Sequence, residues 1–343
     1  MTITKKKIEQ FQQMITSAKH IVITAHKSPD GDSIGSSLGL YHYLKQINPS
    51  VFICHPDKAP SFLHWIEGYD QILSLEDSKE LVIEHFEKSD LIFCLDYNSS
   101  SRIGNLEKYM NESTAKKILV DHHRDPDLEF CDLMFSDITA CSTSQLIYEL
   151  IEGSNHLDKI NETVGTPLYT GIVTDTGSFR FSSTRPKTHH IAADLIDRGV
   201  KNSLVHENVF DTNTLNKIQL VSFAMLEKLV IIKESATAYI SLTSDEQERF
   251  KAIKGDTEGL VNQALAIQGI KVAVFFKESD GIIKISFRSK GDIPVNEMAK
   301  HHFSGGGHLN ASGGKFVGNI DKAIDKFVTI LPKFVEENKT KFE

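Results

Sequence analysis

The stretch AHKSPDGDSIG brings His26, Asp30 and Asp32 within seven residues of one another, just after an apolar run and just before a helix-like one. Two more apolar segments end in the same residue types: DLIFCLD stops at Asp96, and KILVDHH at Asp121, His122 and His123. A fourth acidic candidate, Asp175, lies in YTGIVTDTGSF, where a helical pattern breaks at Gly177. Carboxylates and imidazoles gathered from four segments repel one another unless cations neutralise them. Oxygen-rich ligation with a few histidines suits manganese or magnesium better than zinc, which prefers sulfur and nitrogen with four ligands. Six of these side chains, His26, Asp30, Asp32, Asp96, His122 and Asp175, already exceed what one such ion needs, so some should bridge two ions about 3.5 to 4 Å apart, the spacing of two-metal phosphoryl-transfer sites.

Each fragment alone has an ordinary explanation. Pro-Asp and Asp-Gly are common turn chemistry, and Asp32 or Ser33 could simply cap the next helix. The pairs His189–His190 and His301–His302 carry nothing that marks them as ligands. Four acidic segments in series, at least three of them following apolar strands, point instead to one site.

The elements that must position these residues alternate. HIVITAH, VFICH, DLIFCLD and KKILVDHH read as strands, while SIGSSLGLYHYLKQ, STSQLIYELI and KTHHIAADLIDRG carry helical spacing. Continuous apolar strands between helices predict a mostly parallel sheet with helices on both faces, and ligands collect at the carboxyl ends of such strands. Residues 1–202 form this first α/β domain. A stretch without strand signals, 203–228, reads as a helical linker. Residues 229–343 read as a smaller α/β domain with a mixed sheet: ATAYISLT, KVAVFFKES and GIIKISFRS are strands, ESDG is the turn between the last two, and a final helix runs from Asp321 to about Phe334. A length of 343 residues suits two domains of this kind.

Composition narrows the partners. With 40% hydrophobic and 24% charged residues the chain has the make-up of a soluble globular protein. Apolar runs such as LVII and VAVFF fall far short of the ~20 residues needed to cross a bilayer, so a cytoplasmic location and no membrane partner are expected. The net charge of −8 argues against a broad face for long duplex nucleic acid, leaving short anionic ligands. Cys54, Cys94, Cys131 and Cys141 are scattered without C-x-x-C spacing, against a disulfide framework and against a cysteine zinc site. The sequence carries no signal for an oligomeric state.

AHKSPDGDSIGS, LDYNSSSRIG, VDHH and GIVTDTGSF resemble, in order and spacing, the four signature motifs of the DHH phosphoesterase superfamily, over roughly His20 to Phe179. SGGGHLNASGG, Ser304 to Gly314, resembles the glycine-rich signature of the DHH-associated domain that follows in one branch. The resemblance implies that His26 and Asp30 hold one metal, that Asp32, His122 and Asp175 hold a second, and that Asp96 bridges both. It implies two divalent cations, manganese in the first place. Asp121 would orient a neighbouring ligand. His123 would face substrate, holding a phosphoryl oxygen or protonating the leaving oxygen. In Gly305, Gly306, Gly307 and His308 the glycines let backbone N–H groups approach a phosphate and the histidine adds a donor, against the plain alternative of a flexible turn. Arg288 would grip a terminal phosphate. Arg102 matches the family pattern, with a structural and a binding role both open. Ser33 and Ser312 stand where alanine is usual, and neither replaces an expected ligand.

For function, the resemblance implies hydrolysis of very short oligonucleotides to mononucleotides, and removal of phosphate from 3′-phosphoadenosine 5′-phosphate. Cyclic di-AMP or pApA phosphodiesterases share the architecture and form the alternative; a non-catalytic nucleotide sensor is the alternative from another class. The large single-strand exonucleases of the superfamily need more chain than 343 residues offer, and its pyrophosphatases lack a GGGH segment.

Overall fold

In the computed structural model of the chain, residues 3–253, 255–279 and 281–342 are described. They form two compact units that divide between Thr212 and Asn213. In the first unit, β1 (Ile21–Ala25), β2 (Val51–His55), β3 (Ile72–Ser74), β4 (Leu91–Leu95), β5 (Lys116–Asp121) and β6 (Leu133–Ser136) make a sheet of order β3-β2-β1-β4-β5-β6. Every pairing is parallel. The strands are apolar throughout because both faces are covered. Ile21, Ile23, Phe93, Leu95 and Val120 enter one core, and Val22, Ile92, Cys94 and Leu119 enter the other. The expected fold class is thus observed, with two strands more than the sequence displayed. Those two, β3 and β6, are the sheet edges and run to only three and four residues, too short for a period to show.

Strand order reverses between β1 and β4, which leaves a crevice outside their carboxyl ends. His26 follows β1, Asp96 follows β4 and His122 follows β5, so the reversal point collects the residues that the apolar runs end on.

Two helices close that end of the sheet, Gly31–Lys45 and Glu162–Asp175. They approach so closely that side chains are excluded between them. A Cβ on Gly35 would lie 2.4 Å from the Pro167 carbonyl oxygen and 2.9 Å from the Gly171 nitrogen. Gly31 and Gly39, one turn to either side, meet Thr174 and Leu168 in the same way. This contact sets Asp32, in the first turn of one helix, against Asp175, the last residue of the other.

The second unit holds β7 (Val230–Ile232), β8 (Thr237–Leu242), β9 (Val272–Ser279), β10 (Ile282–Ser289), β11 (Gly306–His308) and β12 (Ala311–Phe316), in the order β11-β12-β10-β9-β8-β7. Only β8–β9 is parallel among the described pairings, so the sheet is mixed, as expected. Of the expected turn ESDG, Asp280 lies outside the described residues, and Gly281 takes the left-handed φ of 76° that favours glycine. The stretch read as a linker is helical, with helices at Asn202–Phe210 and Leu215–Phe223 and a wider-wound turn at Ala224–Lys228. The last long helix spans Ile320–Glu337 and lays Ala323, Phe327 and Leu331 on the core of β9 and β10. No described helix is long and apolar enough to cross a membrane, and all four cysteines remain thiols.

The glycine contact generates a stability prediction. Gly35→Val forces a branched side chain against backbone atoms that cannot rotate away, and should lower stability by about 1 to 3 kcal/mol. Urea unfolding measures this; an unchanged midpoint would mean that the two helices are not locked as described.

Candidate metal centre

His26 sits on the loop leaving β1 and is 7% exposed. Its Nδ1 is 2.8 Å from the Lys27 carbonyl oxygen, which can only accept, so Nδ1 carries the proton and Nε2 faces inward. That Nε2 lies 3.7 Å from Asp30 Oδ2 and 3.4 Å from Asp96 Oδ2. Asp30 caps the helix that follows: its Oδ1 accepts from the backbone N–H of Asp32 at 3.1 Å and of Ser33 at 3.0 Å, and Ser33 returns a side-chain bond to the Asp30 N–H. The ordinary capping explanation is therefore real, and it leaves Asp30 Oδ2 directed at His26.

Asp32 is 1% exposed and points away from its own helix. Its two oxygens accept from the backbone N–H groups of Thr143, at 2.6 Å, and Ser144, at 2.9 Å. These N–H groups open the helix Thr143–Gly153, whose positive end favours a carboxylate. Asp96 has a left-handed φ of 64°, a conformation that aspartate tolerates better than most residues, and Thr143 Oγ1 donates to its Oδ1 at 3.0 Å. Nothing local in the sequence marks Thr143 and Ser144 as partners of a carboxylate. Ser142, whose hydroxyl caps this helix at Gln145, was the available signal for a helix start with N–H groups to offer.

Around His122 Nε2 lie Asp96 Oδ1 at 3.4 Å, Asp175 Oδ2 at 3.4 Å and Asp32 Oδ2 at 3.9 Å. Among the donor groups that result, His26, Asp30 and Asp96 make one and Asp32, Asp96 and His122 another, each with atoms within 4.8 Å of one another. Asp175 joins the second through His122, and Asp96 belongs to both.

The separations are longer than direct hydrogen bonds. A charge-assisted N–H···O⁻ bond is about 2.7 to 2.9 Å long. At 3.4 to 3.9 Å these atoms are not hydrogen-bonded to one another, and a small contraction would bring them to the roughly 3 Å that separates neighbouring ligands about 2.1 Å from one octahedral cation. Without cations the cluster is electrostatically tense. Burial, then the neighbouring Asp96, pushes Asp32 up to about 7. Burial and the surrounding carboxylates hold Asp175 well above the carboxylate range. For Asp96 burial acts upward, but His122 and His26 outweigh it and hold the group well below that range. Burial likewise pulls His26 down, and Asp30 and Asp96 overcome it and raise it well.

Asp121 is fully buried, and its Oδ1 lies 2.7 Å from His123 Nδ1. That is a hydrogen-bond distance, so Asp121 fixes the ring of His123 through Nδ1. The Arg102 carbonyl accepts from the Lys27 N–H at 2.9 Å and ties the SRIG segment to the first loop, while the Arg102 side chain is exposed.

In the second unit the glycine run is an edge strand rather than a flexible turn. β11 pairs with β12 so that His308 stands opposite Ala311, which stands opposite Arg288 on β10. Strands are about 4.8 Å apart, so Arg288 and His308 flank the Ala311 methyl across about 10 Å of one sheet face. In the next row Gly306 faces Gly313, and a Cβ on Gly306 would meet nothing within 4 Å. Gly305 and Gly307 are needed for the strand itself: their Cβ atoms would strike the Gly313 and Ala311 carbonyls at 2.0 and 2.6 Å. The Gly305 N–H is committed to the Ala299 carbonyl, so Gly305 supplies close approach rather than a donor.

The N-terminal domain of the DHH family matches residues 20–172, and the DHHA1 domain matches residues 235–337. The bifunctional oligoribonuclease and PAP phosphatase NrnA of Bacillus subtilis (strain 168) is 33% identical over 297 residues, covering 85% of this chain and 88% of that protein. The cyclic-di-AMP phosphodiesterase PdeA of Listeria monocytogenes is 27% identical over 315 residues, covering 88% of this chain and 45% of that protein. The crystal structure of an exopolyphosphatase-related protein from Bacteroides fragilis matches with a TM-score of 0.94 and 36% identity over 98% of both chains. The chain belongs to the DHH family, with the family's N-terminal domain in its first unit and a DHHA1 domain in its second.

Proposed function

We propose that the chain is a two-metal phosphoesterase that hydrolyses very short oligonucleotides to mononucleotides and removes phosphate from 3′-phosphoadenosine 5′-phosphate. What supports this most is the position of Asp96, which faces His26 through one oxygen and His122 through the other. His26 and Asp30 would hold one divalent cation, and Asp32, His122 and Asp175 the other, with Asp96 common to both. Manganese is the ion proposed, magnesium the substitute. Bound there, such cations supply Lewis acidity to a phosphoryl group and an activated water.

The chain's own residues do the rest. His123, turned by Asp121, delivers a proton to the leaving oxygen from Nε2; burial of Asp121 keeps that carboxylate from turning to water. Arg288 and His308 offer donors on one sheet face to a terminal phosphate, and the bare Gly306–Gly313 row leaves space for it beside them. The similarity to NrnA over nearly the whole of both chains favours short oligonucleotides and 3′-phosphoadenosine 5′-phosphate. The second reading, a cyclic di-AMP or pApA phosphodiesterase, draws on the similarity to PdeA, of which this chain matches less than half. A sensor that binds nucleotide without turnover is disfavoured because no expected ligand is replaced.

The deciding experiment compares turnover of dinucleotides, longer oligomers, 3′-phosphoadenosine 5′-phosphate and cyclic di-AMP with Mn²⁺ and with chelator. Chelator-sensitive release of mononucleotide from dinucleotides is expected; binding without product would favour the sensor. Asp96→Asn should reduce turnover by at least about 100-fold with the fold retained by circular dichroism, since it weakens both cation positions; most activity surviving would refute its bridging role. Arg288→Ala should slow substrates bearing a terminal phosphate and spare a small synthetic diester; equal losses on both would make the arginine structural. Because burial and the neighbouring Asp96 push Asp32 up to about 7, protons would compete with metal there as the pH falls. Calorimetric Mn²⁺ affinity should therefore strengthen from pH 6 to pH 8, and a flat profile would argue against Asp32 as a ligand.

A further inference from the structure

The carboxylates of the centre differ in what holds them. Asp30 and Asp32 each accept two backbone N–H bonds, and Asp96 accepts from Thr143. Among the described residues no hydrogen-bond donor steadies Asp175, whose carboxylate meets only His122 and whose side chain is 31% exposed, against 2% for Asp96. Asp175 is the last residue of its helix, so its place depends on how that helix ends.

The helix ends in a Schellman arrangement. The Gly177 N–H reaches the Thr174 carbonyl at 3.2 Å, the Ser178 N–H reaches the Val173 carbonyl at 2.8 Å, and Gly177 has the left-handed φ of 56° that the motif requires. One left-handed residue is enough for this cap. Here two more follow, Ser178 at φ 61° and Phe179 at φ 65°, neither of them glycine. Such residues persist only where their surroundings impose them.

Three contacts do so. The Phe179 N–H donates to Thr176 Oγ1 at 2.9 Å, and the Phe179 ring stacks on His189 at 5.2 Å. The third comes from another helix, Asn202–Phe210. His206 Nδ1 is 2.8 Å from the Asn202 carbonyl oxygen and must donate to it, which makes Nε2 an acceptor; the Ser178 hydroxyl, at 3.1 Å, donates to it. This helix ends two residues before the division between the units, so the chain leaving the first unit carries a side chain that grips the turn behind Asp175.

We propose that His206 is a positioning residue for the second cation: through Ser178 it holds the left-handed turn that sets Asp175 against His122. The inference rests on the two-cation reading above. It assigns His206 no contact with substrate or metal and predicts an effect confined to the cation that Asp175 serves.

The test is calorimetric titration of the whole protein with Mn²⁺. Wild type should take up two ions. His206→Phe, which keeps an aromatic ring beside Tyr169 but cannot accept a hydrogen bond, should weaken one ion about fivefold, the effect of one hydrogen bond, and leave the other unchanged. His206→Gln, with an amide oxygen able to accept from Ser178, should restore most of the loss. Ser178→Ala should match His206→Phe, the double variant should be no worse than either, and Ser178→Ala carries the test alone if His206→Phe does not fold. Unchanged affinity, or equal weakening of both ions with a lowered melting temperature, would overturn the inference alone. Fewer than two ions on wild type would overturn the two-cation reading, and this inference with it.

Discussion

Mutual repulsion among buried carboxylates is the constraint on which the first unit is built. Asp32, Asp96 and Asp175 converge on His122 within 4 Å, and Asp30 approaches His26 beside them. In a low-dielectric interior such charges drive one another apart or take up protons, and the upward displacement of Asp32 and Asp175 expresses that tension. The fold must hold the charges together at the cost of that repulsion, which bound cations would relieve. It does so with elements whose placement has other causes: a sheet that reverses order between β1 and β4, a helix start aimed at Asp32, and a glycine-lined contact that brings together the two helices carrying Asp32 and Asp175.

The holding is graded. Asp32 is gripped by a helix N-terminus, Asp30 by its own capping box and Asp96 by a hydroxyl and a fixed backbone conformation, whereas Asp175 relies on the end of its helix. A cluster graded in this way can keep Asp96 fixed while Asp175 responds to the chain around it. The same principle separates the two adjacent histidines after β5. His122 turns Nε2 to the carboxylates, and His123 is turned by Asp121, so neighbours in sequence take up different chemistry through what their rings face.

Much of this was legible in the sequence because the physics involved is local. An apolar run covered on both faces must end where the chain leaves the core, so His26, Asp96 and Asp121–His123 announced themselves as strand ends, and Gly177 announced the end of the Asp175 helix. What stayed hidden depends on partners distant in sequence. The spacing of Gly31, Gly35 and Gly39 is visible, but nothing local says that Gly171 and Pro167 lie against it. Thr143 and Ser144 read as an ordinary helix start, and their carboxylate partner is 111 and 112 residues away. The edge strands β3, β6, β7 and β11 are too short to carry a period, and β11 is mostly glycine. The alignment of His308 with Arg288 follows from strand register, which composition does not encode.

The central claim is that Asp96 is shared by two cations. Anomalous diffraction from crystals of the protein grown with Mn²⁺ tests it most directly. The account predicts two peaks about 3.5 to 4 Å apart, one on each side of the Asp96 carboxylate, the first beside His26 and the second beside His122. A single peak that leaves either histidine without a metal, or a pair of peaks that Asp96 does not bridge, would contradict it.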